Sequence, residues 1–133
     1  MKQMYAKAVK CLPLKARCFC SDNSGAKEIE IISVYKIKTK WRQTPTAGIG
    51  SLVNVVVKKG KPSIKKKVEK AVVVRVRKAY RRKTGARISF EDNAVVVLKD
   101  DKGNPKGTIF KGPIAKEVAN KWPAVAKVAS MII

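Results

Sequence analysis

The chain has 133 residues, 31 of them lysine or arginine and 9 aspartate or glutamate, for a formal charge of +22. Nucleic acid is the only abundant cellular partner that neutralises so much positive charge, through phosphate contact and counterion release. Apolar residues make up 45%, which supports a packed core and excludes a basic chain that is disordered throughout.

The size suits one domain. Residues 1–15 have no clear period, and residues 17–21 suit a short first strand. Asp22-Asn23-Ser24-Gly25 is a turn, because Asp, Asn and Ser bond the local backbone and Gly accepts positive φ. A strand is predicted over residues 27–37, with Ile29, Ile31, Tyr35 and Ile37 on one face and Glu28, Glu30 and Lys36 on the other. A polar loop closed by Gly48 and Gly50 leads to a third strand over 51–58, where Val53, Val55 and Val57 share a face. Residues 58–62 turn the chain ahead of Lys65-Lys66-Lys67. The fourth strand, over 68–78, carries Val72, Val74 and Val76 inward and Val73, Arg75 and Arg77 outward.

A basic turn over 80–85 follows, and residues 87–90 and 93–99 form a last hairpin. Gly112-Pro113 opens a helix, since the missing N–H of proline costs nothing there. Pro123 ends that helix and starts a second short one. Met131-Ile132-Ile133 is an apolar end. Short strands with Gly-rich turns point to a mainly β fold, a small barrel or sandwich, with helices only at the end.

The chemistry is that of binding. With no histidine, the commonest general base is missing, and Glu91-Asp92 and Asp100-Asp101 are neighbours that point to opposite faces of an extended chain. Gly60-Lys61 is no phosphate-binding P-loop, because Val55 and Pro62 stand where the pattern needs Gly and Ser or Thr. No catalytic residue, cofactor or metal is expected. Cys11, Cys18 and Cys20 are an odd set without an export signal and read as reduced thiols. Lys7, Lys10, Lys15 and Arg17 interrupt the start of the chain, and no stretch reaches ~18 apolar residues, so a soluble intracellular protein without membrane contact is expected.

Three segments, 36–42, 58–67 and 75–87, concentrate the cations. Arginine binds phosphate with a planar fork and lysine as a mobile point charge. The candidate RNA-binding residues are Lys38, Lys40, Trp41, Arg42, Lys58, Lys59, Lys61, Lys65, Lys66, Lys67, Arg75, Arg77, Lys78, Tyr80, Arg81, Arg82, Lys83 and Arg87. Trp41 and Tyr80 are aromatic side chains that either stack on a base or pack against their own loops. From residue 112 on there are three lysines, one glutamate and no arginine. Ile114, Val118, Trp122, Val125, Val128 and Ile132 are therefore a candidate protein-contact surface, with packing on the barrel as the alternative.

These motifs resemble the universal large-subunit ribosomal protein fourteen family, in its archaeal and eukaryotic branch. The resemblance rests on Asp22-Asn23-Ser24-Gly25-Ala26 and on Ala47-Gly48-Ile49-Gly50 with Val57-Lys58-Lys59-Gly60-Lys61-Pro62. It rests further on Ala71-Val72-Val73-Val74, Gly85, Phe90, Asn93 and Val96-Val97, and on Lys106-Gly107-Thr108 through Gly112-Pro113-Ile114-Ala115-Lys116-Glu117. Thr84 and Ser51 depart from the usual residues beside two of the glycines, and Cys18-Phe19-Cys20 and Trp41 are divergent.

The resemblance implies a small five-stranded antiparallel β-barrel with a short helical C-terminal segment. Residues 1–111 would form the barrel and 112–133 an appendage packed on it. It implies a structural constituent of the large ribosomal subunit in the cytoplasm, at the subunit interface. The implied partners are large-subunit rRNA, small-subunit rRNA across the interface, neighbouring ribosomal proteins and an anti-association factor, with no homo-oligomer. The competing reading of the residues is a free basic nucleic-acid-binding barrel, an RNA chaperone or chromatin protein.

Overall fold

A computed structural model describes residues 8–133; residues 1–7, which begin the expected barrel unit, lie outside the described residues. In chain order the strands are β1 (Leu12–Pro13), β2 (Arg17–Cys20), β3 (Ala26–Val34), β4 (Thr46–Ala47), β5 (Leu52–Gly60) and β6 (Val68–Arg75). Then come β7 (Tyr80–Arg81), β8 (Arg87–Ile88), β9 (Ala94–Leu98), β10 (Pro113–Ile114), helices α1 (Lys116–Lys121) and α2 (Pro123–Val128), and β11 (Met131–Ile132). Five strands close a barrel in the order β2-β3-β5-β6-β9. The antiparallel expectation holds at four seams; the fifth, β2 with β9, is parallel, with Phe19 opposite Ala94 and Cys20 opposite Val95.

Register defines the interior. Ile29 lies opposite Val57, Ile31 opposite Val55, and Val53 opposite Ala71, which in turn faces Val97. Directly opposed residues share a face, so these side chains fill the barrel, and all are at most 1% exposed. Burying one such valine or isoleucine contributes roughly 1.5–3 kcal/mol.

The outer face of β6 is buried too. Leu52, Val72 and Val96 oppose one another on that face, and Val72 and Val96 are completely buried. The cover is a strap over residues 105–115. Lys106 N–H donates to the Val97 carbonyl at 2.9 Å, Lys111 N–H to Ser21 at 2.6 Å and Ala115 N–H to Val74 at 3.3 Å. Phe110, Ile114, Val118 and Val125 complete the second layer of the core.

Three expectations are corrected here. The fourth strand does not alternate simply between an inner and an outer face. Val73 pairs with Val95 and Arg75 with Ala94, so Val74 is an extra, bulged residue. Alternation from the interior Ala71 puts Val73 inside and Val72 on the outer, covered face, the reverse of the expectation; the bulge at Val74 then turns Arg75 outside, and the strand stops there. Residues 87–90 do not pair with 93–99: β8 pairs with β7, while β9 belongs to the barrel. Pro113 does not open a helix. The Arg75 guanidinium takes the Lys111 and Pro113 carbonyls, both at 2.9 Å, which holds this stretch extended. Pro113 and Ile114 then pair in parallel with Met131 and Ile132, and α1 begins only at Lys116.

The Asp22–Gly25 turn is a clamp as well as a reversal. The buried Asp22 carboxylate accepts Ser24 N–H at 3.2 Å and, across the barrel seam, Val97 N–H at 2.8 Å. Asn23 Oδ1 accepts Thr108 N–H at 2.8 Å and so pins the strap. Gly60 passes so close that a Cβ there would lie 2.6 Å from the Gly25 carbonyl oxygen.

Candidate nucleic-acid interface

The loop after β5 is a scaffold that displays lysines. Lys61 carbonyl accepts Ile64 N–H at 3.1 Å and Lys65 N–H at 3.0 Å, and Lys66 N–H donates back to Val57 at 2.9 Å. Ile64 is 4% exposed and plugs the loop into the core. Lys61, Lys65, Lys66 and Lys67 therefore stand in solvent, and none makes a salt bridge. Four like charges without counter-charge on one loop are unfavourable in isolation and are relieved by phosphate. The neighbouring Lys58 and Lys59 differ, since they pair with Glu30 at 3.5 Å and Glu28 at 2.7 Å. Lys59 and Arg17 hold the Glu28 carboxyl below its ordinary range. These are surface pairs, weakened by salt and open to exchange for phosphate.

In the loop over residues 38–42, Lys38, Lys40, Trp41 and Arg42 are all exposed. Trp41 is 94% exposed. It does not pack against its own loop, which leaves its ring free to stack.

The third basic segment divides. Arg77, Lys78, Arg81, Lys83 and Arg87 are exposed. Arg75, Tyr80 and Arg82, predicted as RNA ligands, are instead committed inside the protein. Arg75 is 8% exposed; its Nε and Nη2 donate to the two Asp92 oxygens at 2.8 and 3.1 Å. Tyr80 Oη donates to Glu117 Oε2 at 2.7 Å, and Arg82 Nε donates to Glu117 Oε1 at 2.6 Å. Arg82 Nη2 also reaches the Ile133 carbonyl at 2.7 Å. Burial alone would raise the Glu117 pKa; the bonds from Arg82 and Tyr80 outweigh it and hold the carboxyl below its usual range. Burial and the same carboxylate push the Tyr80 phenol up.

Sequence reasoning missed Glu117 as the organiser of this network. Its signal was present: it is the sole acidic residue from position 112 to the end of a basic chain.

The predicted protein-contact residues divide as well. Ile114, Val118, Trp122 and Val125 are buried in the molecule itself. Trp122 is pinned by an Nε1–H bond to the Gly50 carbonyl at 3.0 Å. Val128 is half-buried, and Ile132 is exposed together with Met131 and Ile133.

The chemistry elsewhere is quiet. Burial pushes the Cys18 thiol up to about 11, and burial with Asp22 pushes Cys20 to about 12, so both stay protonated and poorly nucleophilic. Among the described residues no group of three His, Cys, Asp or Glu could hold a metal ion. No helix among the described residues is long and apolar enough to cross a membrane.

A barrel carrying lysine loops without salt bridges, with Asp22, Asp92 and Glu117 held in clamps within the protein, fits the sequence resemblance. The model of the family described as ribosomal protein L14p/L23e matches residues 11–133. The chain belongs to that family. It is 52% identical over 133 residues, all of both chains, to large ribosomal subunit protein uL14 of Nanoarchaeum equitans. It is 45% identical over 132 residues, 99% of each chain, to the protein of that name from Methanococcus vannielii. To that of Cenarchaeum symbiosum it is 49% identical over 124 residues, 93% of this chain and 85% of the relative. The family is structural and non-enzymatic.

Proposed function

We propose that this protein is a structural constituent of the large ribosomal subunit in the cytoplasm and that it binds large-subunit rRNA through three displays. These are the loop at Lys38, Lys40, Trp41 and Arg42, the loop at Lys61, Lys65, Lys66 and Lys67, and the exposed cations Arg77, Lys78, Arg81 and Arg87. Lys58 and Lys59 join the second display when phosphate replaces their glutamates. One observation carries the reading: the exposed lysines of the 61–67 loop make no salt bridge, while almost every carboxylate is engaged within the protein. Phosphate is the counter-charge that remains.

In the same reading the protein sits at the subunit interface and one basic loop reaches small-subunit rRNA. The apolar edge at Met131, Ile132 and Ile133 meets a neighbouring ribosomal protein or an anti-association factor. An exposed apolar strand edge is a surface of the kind partners cover.

The test is the salt dependence of binding to a purified large-subunit rRNA fragment. Log affinity should fall with log salt by about 0.7–0.9 per phosphate contact. A slope near zero overturns the reading. Sedimentation of the cell lysate separates it from a free nucleic-acid-binding barrel, which would remain at the top of the gradient.

A further inference from the structure

A cavity of about 320 Å³ opens between the end of β3, the start of β5, the last turn of α1 and the segment before β1. Its lining includes Tyr35, Ile37 and Leu52 and three lysines, Lys10, Lys36 and Lys121, from three separate stretches of chain. No carboxylate lines it. We propose that this cavity is a subsite for one unpaired nucleotide of the bound RNA, its base against Tyr35 and its phosphates between Lys10, Lys36 and Lys121. The proposal rests on the RNA-binding reading above and adds a site beside the first of the three basic displays, at Lys36.

Each lysine is delivered by an anchored piece of backbone. Lys121 precedes Trp122, whose indole is fixed to Gly50. Lys10 lies in a segment that crosses Gly48 so closely that a Cβ there would meet the Val9 oxygen at 2.9 Å, and Cys11 N–H ties the same segment to Ala47 at 3.0 Å. Lys36 turns out of β3 at φ 57°, just after Tyr35 N–H bonds Leu52 at 2.9 Å.

Among the described residues none of the three has a salt-bridge partner. Lys121 is half-buried, and desolvation pulls its pKa below the ordinary lysine value. A partly desolvated, unpaired ammonium gains from an incoming anion. Leu52 and Ile37 give an apolar floor, and Tyr35 is 40% exposed, so a planar apolar face is offered as well as charge. The volume is at the lower end of the ~300–1,000 Å³ of small-ligand sites, which suits one nucleotide and not a duplex. Bases stack on aromatic rings irrespective of sequence.

The test uses the full chain and a short single-stranded oligoribonucleotide, with backbone amide NMR shifts and affinity as readouts. Saturable shifts at Lys36, Ile37, Leu52 and Lys121 are expected. Tyr35→Ala should weaken the oligonucleotide roughly tenfold, as loss of one base–aromatic stack does, while Tyr35→Phe keeps it. Lys121→Gln should weaken it severalfold and leave the urea midpoint unchanged. An abasic oligonucleotide should bind as weakly to the native chain as the normal one binds to Tyr35→Ala.

If these variants bind normally while Lys66→Ala loses rRNA affinity, the subsite is overturned and the RNA-binding reading stands. If Lys66→Ala also binds normally, both fail. If a polyglutamate peptide produces the same shifts more tightly than the oligonucleotide, the cavity is a protein site and the proposal is overturned.

Discussion

The segments over residues 58–67 and 75–87 look alike in sequence, but the first only displays its cations whereas the second divides them between surface and fold. Both are basic and both adjoin valine-rich strands. In the first, lysines flank a single apolar plug, Ile64, and the charge faces outward. In the second, Arg75 and Arg82 are turned onto Asp92 and Glu117 and bind the C-terminal segment from Lys111 on to the barrel. The difference follows from chemistry and reach. A planar guanidinium satisfies a carboxylate and two carbonyls at once, as Arg75 does. An ammonium on a flexible stem has little to gain from burial. Charge density in a sequence therefore does not separate cations that hold a fold together from cations that are free for a partner; a carboxylate that draws the cation out of solvent does, as Asp92 and Glu117 do for Arg75 and Arg82 and as Glu28 does not for Lys59.

The largest expected effect breaks the inner half of that comparison. Glu117→Ala leaves the Arg82 guanidinium and the Tyr80 hydroxyl facing a cavity. Removing one partner of a buried pair typically costs about 3–5 kcal/mol, a large share of the stability of a domain this size. The urea midpoint should fall accordingly, whereas rRNA affinity per folded molecule should hold. Arg75→Ala should cost somewhat less, about 2–3 kcal/mol, because Asp92 keeps partial access to water. Equal loss of rRNA affinity in either variant at full stability would return these residues to the RNA surface.

The same network sets a pH window. The Glu117 pKa is depressed in the fold, so its contribution is complete above its ordinary value of 4.5 and is lost as pH falls through the lower folded value. The Tyr80 pKa is raised, so its contribution is complete below 10 and is lost as pH rises above that. Urea midpoints across pH should therefore be flat from 4.5 to about 9, where the buried Cys18 and Cys20 thiols, also raised, begin to add their own alkaline loss to that of Tyr80. Glu117→Gln should flatten the acid limb and shrink the alkaline one; an unchanged acid limb would place the acid sensitivity at another carboxylate.

Much of this architecture was legible. The Asp22–Gly25 turn, the strands around Ile29 and Val55 and the stop at Pro123 follow from turn chemistry and period two alone. The strap was not. A chain that folds back over one barrel face is a tertiary event, and it reverses local preferences. It keeps Pro113 extended although proline suits a first helical turn, and it buries Arg75 although arginine on a strand suggests solvent. The unbroken run Val72-Val73-Val74 carried a hint, since a strand buried on both faces loses its alternation. For the interface, the lysine loops were plain in the sequence. What was not plain is which aromatic is free: Trp41 and Tyr80 both sit beside cations, yet only the second lies within reach of a buried carboxylate.

Arg77→Ala isolates the outer half of the comparison. Two residues beyond Arg75, this side chain is exposed and makes no salt bridge. Its removal should change stability by no more than ~0.5 kcal/mol. It should make the slope of log affinity against log salt shallower by about 0.7–0.9, the value of one phosphate contact. If Arg77→Ala lowers the urea midpoint as much as Arg75→Ala does, the two arginines do not divide between fold and partner.

The smallest change in stability is expected at Trp41. At 94% exposure the indole buries almost nothing, so Trp41→Ala should leave the urea midpoint within ~0.5 kcal/mol of the parent. So large an apolar surface held in water costs free energy unless something covers it. On the RNA-binding reading proposed above, the cover in this basic loop is an RNA base. Trp41→Ala should therefore weaken rRNA binding by about 1–3 kcal/mol, the worth of one stacked base, with the salt slope unchanged because no phosphate contact is lost. Trp41→Phe should recover most of the affinity. A variant that loses affinity and salt slope together would show that Trp41 positions Lys40 and Arg42 rather than touching RNA, and the loop would then bind by charge alone, as proposed for the 61–67 loop.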